Sequence, residues 1–433
     1  MKKVIVYVAL FVIALTQLQA QFTLSGEYRP RAEYRHGFKT LPAVDQDAAF
    51  FIDQRTRINM DYVSEKFDVK FVLQDVRVWG SQPQLVTADG ITTTIHEAWG
   101  NLKFTDWLSL KMGRQEIIYD DHRIFGSVGW AQQARSHDAA IFKVNSNGFK
   151  VDFGLAYNQN AAGLVGTDYI LPGSYKSFQY LWAHKDFEAF NASVLFLNLG
   201  KQGFVNDPVT GLPTIGKTFN QKTLGGRFGY KLNALKANAT IYTQFGDMTD
   251  NTTTISGLLY SMDASYTLAE KHTVFAGYEH ISGNDQINPA ANKNEAFTPY
   301  FGTNHKFNGL MDYFYVGNHI GDVGLNDIQF GYKGKITDKF NVGLASHLFL
   351  SDGNISDPIT GNAMSKSLGT EIDVTGGYKL SNEVGFAFGY SQMLGTDTMV
   401  ELKGGDKSET ANWAWLMVTI KPTFFTTKEK EVE

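Results

Sequence analysis

The chain has 433 residues, a net charge of −5 and no cysteine, so disulfides, thiolate metal sites and a lipid-accepting cysteine are excluded. Aromatic residues make up 14% of the chain, and 42 glycines against 10 prolines are typical of many strands and turns. After residue 20 no apolar run approaches the roughly 18 residues of a membrane-spanning helix, which argues against a helical membrane protein.

Residues 1–20 predict a cleaved secretory signal. Lys2 and Lys3 precede an apolar stretch over residues 4–15, and the segment ends on the small residue Ala20. The apolar stretch is too short to span a bilayer. We therefore place the mature start at Gln21.

Residues 22–35 predict the first strand of a membrane barrel. Even positions carry apolar or aromatic side chains such as Phe22 and Tyr28, whereas charged side chains occupy five odd positions. A soluble sheet rarely lines one face with so many charges and the other with tyrosines. The alternation is typical of a strand between lipid and a water-filled lumen.

Strand candidates recur to the end of the chain, and the spacers between them alternate between short and long. Eight short turns fall at 64–66, 105–107, 145–148, 186–188, 231–234, 267–271, 335–339 and 381–383. Nine long loops fall at 36–49, 80–93, 119–135, 159–175, 199–216, 247–255, 282–323, 351–368 and 392–410.

Eight turns and nine loops separate eighteen strands. An even number places both termini on the periplasmic side of an outer-membrane barrel. The predicted fold is all-β, a transmembrane antiparallel β-barrel with short periplasmic turns and long extracellular loops. Its domains are a signal peptide (1–20), the barrel (21–425) and a charged periplasmic tail (426–433). A strand-like segment over 313–316 is assigned to the 282–323 loop, because counting it would break the alternation.

Two strands carry irregular features. The apolar parity of residues 67–79 changes, which predicts a bulge near 73–75. The last strand, predicted over 412–425, ends on the aromatic pair Phe424 and Phe425.

Arginine is concentrated at the beginning of the chain, with nine of ten in the first third. The predicted parity directs Arg29, Arg31, Arg55 and Arg57 into one patch of lumen wall. Further inward positions carry charges of both signs: Arg35, Lys70, Arg77, Glu27, Glu33, Asp53, Asp61, Asp68 and Asp75. Two interpretations stay open. The charges satisfy one another in wall salt bridges, or the arginines guide anionic solutes, since guanidinium stays charged and binds carboxylate bidentately.

Six short motifs stand out along the chain: GEYRPR at 26–31, QRTR at 54–57, LQDVRVWG at 73–80, GRQE at 113–116, RSHDA at 135–139 and NHKF at 304–307. In these motifs the chain resembles the alginate-export family of outer-membrane porins. The resemblance implies an eighteen-stranded barrel with an arginine-lined conduit for a polyuronate such as alginate. It also implies which arginines line the pore: Arg29, Arg31, Arg55, Arg57, Arg77 and Arg114.

Residues 119–134, rich in Asp, Gly and aromatics, predict either a constriction that folds inward or an outward loop that covers the barrel. The candidate constriction residues are Asp120, Asp121, Arg123, Trp130, Arg135 and Asp138.

Enzymatic chemistry has little support in the sequence. Nucleophile-elbow, P-loop and His-Glu-x-x-His motifs are absent, and ten scattered histidines form no metal spacing. We therefore predict no enzyme and no cofactor.

The predicted function is a channel for anionic solutes, a polyuronate such as alginate among them. The alternatives are a general diffusion porin and a closed barrel whose extracellular loops bind a partner. The predicted partners are outer-membrane lipid and lipopolysaccharide, an anionic oligo- or polysaccharide, and the barrel-insertion machinery. Nucleic acid is not among them.

Overall fold

The computed structural model describes residues 20–85, 93–169, 171, 174–206, 213–250, 252–314 and 323–427. The predicted signal peptide, apart from Ala20, and tail residues 428–433 lie outside this part of the chain. No helix within these ranges is long and apolar enough to cross a membrane.

Eighteen long antiparallel strands in the described ranges form one closed wall, which confirms the predicted fold class. In chain order they are β1 Gln21–His36, β2 Ala49–Val63, β3 Phe67–Val78, β4 Thr93–Lys103, β5 Leu108–Gln115, β6 His137–Ser146, β7 Phe149–Tyr157, β8 Ser177–Asp186, β9 Phe190–Asn206, β10 Pro213–Leu232, β11 Leu235–Asp247, β12 Thr254–Leu268, β13 His272–Ile281, β14 Leu325–Lys335, β15 Phe340–Leu350, β16 Ser367–Lys379, β17 Val384–Gly395 and β18 Ala411–Ile420.

Each strand pairs with the next, and β18 pairs with β1 to close the wall, for example at Glu33 and Trp415. A short strand over Thr423–Thr426 follows Pro422 and also pairs with β1. The predicted last strand is therefore divided, because proline supplies no N–H for the ladder.

All eight predicted tight turns lie between consecutive strands. The predicted 199–216 loop is wrong in its bounds, because β9 continues to Asn206 and β10 begins at Pro213. The loop after β17 contains helix α1, Asp397–Lys403, whose N-terminus is capped by the Thr396 hydroxyl. Tyr313 and Phe314 lie in turns, as expected for a loop.

The irregularity predicted near Leu73 lies on the neighbouring strand. Val72 pairs with Glu97 and Leu73 with Ile95, so His96 of β4 is the extra residue of a bulge. Pairing between β3 and β2 continues without a shift. The alternation of inward and outward side chains along β3 therefore continues unchanged. This alternation determines which side chains near the end of β3 face outward.

The largest buried apolar cluster lies inside the wall. Inward side chains of β8 and β9, including Phe178, Tyr180 and Leu197, pack against loop residues such as Phe125 and Phe301. The outward face instead exposes apolar side chains, among them Phe71 and Ile241. An apolar exterior is typical of a wall that faces lipid.

Candidate functional site

The connection between β5 and β6, residues 116–136, is bound to inward side chains of the wall. We call it the first lumen loop. Arg29 of β1 donates from Nη1 to the Gly129 carbonyl at 2.8 Å and from Nε to Gln132 Oε1 at 3.0 Å. Arg31 Nη1 donates to the Trp130 carbonyl at 2.8 Å. The arginines of the first strand therefore hold this loop.

Carboxylates on β1 and β2 pair with Arg31 and Arg55, whereas Arg29 donates to Gln132 and to backbone carbonyls of the loop. Arg31 forms ion pairs with Glu33 at 2.8 Å and Asp53 at 2.7 Å, and Arg55 pairs with Glu27 at 2.5 Å. All three guanidinium groups are buried, with 3–8% of each residue exposed. Burial of unpaired charge would be costly, so these pairs make the patch possible.

Trp130 lies at the centre of this contact. Its ring stacks on His305 at 4.6 Å between centroids and contacts the rings of Trp413 and Trp415 at 5.6 and 4.8 Å. The Arg31 guanidinium lies 4.1 Å from the Trp130 ring centroid, a cation–π contact. The loop is therefore held by aromatic packing as well as by hydrogen bonds.

The beginning of the same loop contacts other strands. Tyr119 donates to Asp152 of β7 at 2.7 Å, Asp121 pairs with Arg227 of β10 at 2.7 Å, and Arg123 pairs with Glu279 of β13. In a closed wall of eighteen strands, β10 lies nine strands from β1 and thus on the opposite side. The first lumen loop therefore crosses the bore.

A second segment meets the first loop inside the wall. Residues 296–314, which we call the second lumen loop, form a parallel bridge with it at Phe125 and Phe301. Gly126 donates to the Phe301 carbonyl at 2.8 Å, and Val128 N–H donates to Thr303 Oγ1 at 3.0 Å.

Buried acidic residues of β13, β14 and β16 fix the second loop to the wall. Asn308 donates to Glu279 at 2.8 Å and to Asp327 at 3.1 Å, and the Met311 N–H donates to Glu371 at 2.8 Å. His347 lies beside Asp327, at 3.0 Å. Glu279 also pairs with Arg123, so this acidic wall holds both lumen loops.

Backbone strain is concentrated in the first lumen loop. Asp120, His122, Val128 and Ala134 adopt positive φ angles between 51° and 73°. Each such residue costs on the order of 1–3 kcal/mol, and Val is especially unfavourable there. Strain of this kind persists where surrounding contacts fix it, as at functional sites.

Burial also changes the ionisation of two loop residues. It raises the pKa of the Asp120 carboxyl, whose oxygens accept hydrogen bonds from Trp182. Burial likewise lowers the pKa of Lys306, whose ammonium donates to the Asp121 carbonyl at 2.9 Å.

Six of the ten predicted pore-lining positions lie on the inward face of the wall. They are Arg29, Arg31, Arg55 and Arg57 with Glu27 and Asp53. A seventh, Lys70 of β3, is also inward, at 3.4 Å from Asp61. That these residues contact a solute stays a prediction.

Three predicted pore-lining residues lie outside. In the β2–β3 ladder, Arg77 lies opposite Gln54 and Asp75 lies opposite Thr56. Both side chains are therefore on the outward face, away from Arg55, because this ladder has no bulge. In the ladder, Arg114 lies opposite Ala98, and Ala98 lies opposite the exposed Phe71, so Arg114 shares the outward face. The inward position predicted for these three is therefore wrong.

The candidate constriction residues separate in the same way. Asp120, Asp121, Arg123 and Trp130 lie in the first lumen loop with the contacts above. Arg135 ends that loop and donates to the Gly302 carbonyl at 3.2 Å. Asp138 belongs to β6 and points outward, with 64% of its side chain exposed.

A row of inward lysines was not predicted, apart from Lys70. Five consecutive strands, β3 to β7, each carry one in the half nearer the short turns: Lys70, Lys103, Lys111, Lys143 and Lys150. Alternation places each on the inward face, so parity combined with the turn positions could have found the row. Lys103 pairs with Asp68 at 2.6 Å, and Lys111 lies 4.0 Å from the Trp99 ring.

Over the described ranges, no group of three or more His, Asp or Glu side chains has the arrangement of a metal site.

Neither a protein-family model nor a curated protein sequence matches the chain. Solved structures do match it over nearly its whole length. The Pseudomonas aeruginosa outer membrane protein OpdK aligns with a TM-score of 0.60 at 11% identity, over 94% of this chain and 99% of its own. OccK2 (OpdF) of the same organism, in complex with glucuronate, gives 0.60 at 12% identity, over 93% and 97%. OpdK with vanillate gives 0.58 at 11% identity, over 93% and 99%. At such identities the likeness establishes the shared barrel fold.

Proposed function

We propose that the chain is an outer-membrane channel that passes small anionic solutes. The observation that carries this proposal is the row of five inward lysines below the two lumen loops. Ammonium groups at successive strands offer an anion a series of contacts along one wall. The apolar exterior of the closed wall supports placement in a membrane.

At two lysines of the row the ammonium is more exposed than its partner. Lys143 is 40% exposed, whereas its partner Asp152 is 4% exposed. Lys103 is 31% exposed against 19% for Asp68. At Lys70 and Lys150 the partner aspartate is the more exposed group, so Lys103 and Lys143 are the positions where these pairs present more ammonium than carboxylate to the lumen.

The inward arginines divide into two roles in this proposal. Arg29, Arg31 and Arg55 are buried against the first lumen loop and position it. Arg57 is only half-buried and donates to Gln74 at 2.8 Å, so it is the arginine placed to meet a solute.

The solute class is supported by the structures with bound carboxylates. Glucuronate is bound to OccK2 and vanillate to OpdK, and each ligand carries one carboxylate. Two loops that cross the bore favour compact solutes of this size over a long polymer. A polyuronate such as alginate is the second candidate, favoured by the motif resemblance at 26–31 and 54–57.

Reversal potentials across a planar bilayer in a KCl gradient test the proposal. The purified protein should favour chloride over potassium, and Lys103→Gln with Lys143→Gln should lower that preference. Lys185→Gln is the matched control, because Lys185 pairs with the outward Phe149 and faces away from the lumen. Cation selectivity of the wild type, or equal selectivity of all three proteins, would contradict the proposal.

Current block separates the two solute candidates. Glucuronate should block the current at lower concentration than a neutral sugar of the same size. Stronger block by an alginate oligomer, per uronate unit, would favour the polyuronate instead. An absence of conductance in folded protein would favour the closed barrel.

A further inference from the structure

Two arginine–aspartate pairs lie on the outside of the wall. Arg77 and Asp75 lie on β3, and Arg114 of β5 faces Asp138 of β6. All four residues occupy outward positions of the ladder, among neighbours such as Phe71 and Phe142 that are apolar and exposed. Charge on a lipid-facing surface calls for a specific explanation.

The first pair is fixed in place by its neighbours. Arg77 binds Asp75 with two hydrogen bonds, at 2.6 Å from Nε and 2.7 Å from Nη2. Its Nη1 donates to Gln82 at 3.0 Å, and beside it the Trp79 indole donates to Gln54 at 2.9 Å. The guanidinium and the indole are therefore held side by side.

The second pair is open to its surroundings. Arg114 Nη1 donates to Asp138 at 3.0 Å, and its Nε donates to the Ile95 carbonyl at 3.0 Å. Nη2 has no hydrogen bond to any residue in the described ranges, and 43% of the Arg114 side chain is exposed. The Nη2 nitrogen thus keeps donor capacity on a partly exposed side chain.

Both pairs lie toward the extracellular ends of their strands. Arg77 precedes the loop after β3, and Asp138 is the second residue of β6 after the first lumen loop. Exposed aromatic residues lie at the same ends, Trp79 beside Arg77 and Tyr157 at the end of β7. Aromatic residues of this kind mark a membrane interface, where an exposed charge costs only about 0–1 kcal/mol.

We propose that these residues form a binding patch for the phosphorylated sugar headgroup of an outer-leaflet glycolipid of the lipid A type. We call Asp75, Arg77, Trp79, Arg114 and Asp138 the outer patch. Arg114 Nη2 is the nitrogen placed to donate to a phosphate, with Asp138 orienting the guanidinium, and the Arg77 guanidinium held by Asp75 and Gln82 supplies a second positive group. Basic residues at an interface recognise anionic lipid headgroups in this way. The inference requires the proposed membrane placement but not the proposed solute.

The test measures binding of bisphosphorylated lipid A to the detergent-purified full chain by native mass spectrometry. Arg77→Gln combined with Arg114→Gln should weaken binding about tenfold or more. Lys222→Gln is the matched control, because Lys222 is an outward cation on β10, far from the outer patch. Single-channel current and heat-dependent mobility in gel electrophoresis report that each variant is folded.

A second arm uses the wild type alone and therefore does not depend on folding of a variant. Removing the phosphates from lipid A should lower its affinity about as much as the double substitution. Equal binding by the wild type and the Arg77→Gln, Arg114→Gln variant would overturn the proposal, as would equal binding of phosphorylated and dephosphorylated lipid A. Equal affinity for phosphatidylglycerol would also overturn it, because the outer patch would then bind any anionic lipid. Loss of selectivity in the lysine variants bears on the channel proposal and leaves this result unaffected.

Discussion

Replacing Trp130 with alanine should release the first lumen loop from the wall while the barrel stays folded. The substitution removes three ring contacts, to His305, Trp413 and Trp415, together with the cation–π contact of Arg31. Aromatic pairs contribute roughly 0.5–1.5 kcal/mol each beyond burial, and Trp→Ala in packed sites costs about 3–5 kcal/mol. The wall's own ladder does not involve this side chain.

A loss of that size moves the equilibrium between bound and released loop by about two to three and a half orders of magnitude, since each factor of ten corresponds to about 1.4 kcal/mol. Amide hydrogen exchange measured by mass spectrometry should therefore accelerate by a similar factor in peptides covering 116–136. Peptides from β11 and β12, which make no contact with Trp130, should not change. Single-channel recordings should show larger or noisier current, because the loop crosses the bore.

Trp107→Ala is the control for this experiment. Trp107 lies in the turn between β4 and β5 and is 50% exposed, so its loss should leave exchange in the loop unchanged. The reasoning is refuted if exchange over residues 116–136 rises by less than about threefold in Trp130→Ala, or if Trp107→Ala has the same effect.

Three further predictions concern the same loops. Arg29→Gln should accelerate hydrogen exchange over residues 116–136, because Arg29 binds Gly129 and Gln132. Arg57→Gln should instead change ion selectivity and leave exchange nearly unchanged. The reverse pattern would contradict the two roles proposed for these arginines. Gly126→Ala should separate the two lumen loops, because a Cβ there would lie 2.3 Å from Thr303 Oγ1. Overpacking of this kind costs about 1–3 kcal/mol. Unchanged hydrogen exchange in both loops would count against this prediction. Glu279→Gln should destabilise the first lumen loop by about 3–5 kcal/mol, because Arg123 would stay buried with its partner charge removed. Thermal unfolding and hydrogen exchange identical to those of the wild type would show that the ion pair is not required.

Much of the fold could be predicted from the sequence because a strand of a membrane barrel has two different faces. Alternation with period two and polar turns defined the wall, and the count of eighteen strands followed from the turns. The bounds of β9 and β10 could not be predicted, because the end of β9 and the beginning of β10 lie in a polar segment that resembles a loop.

The site was predictable only where the parity was correct. Arg29 and Arg55 lie inward as the alternation of β1 and β2 predicted. Arg77 does not, because a bulge shifts the parity only of the strand that carries the extra residue, and that residue is His96 of β4. The sequence of β3 alone contains no information on this choice. Contacts between the two lumen loops, such as Phe125 with Phe301, join residues far apart in the chain and leave no periodic signal.

The wall closes between the two ends of the chain. Leu24 is paired with Phe425, and the Phe22 amide donates to Thr427, so the seam joins the earliest and the latest described strands. Neither edge of the cylinder finds its partner until the last strands of the chain are available. Until then the outer edge of β1 stays unpaired, and an open strand edge invites pairing with foreign chains.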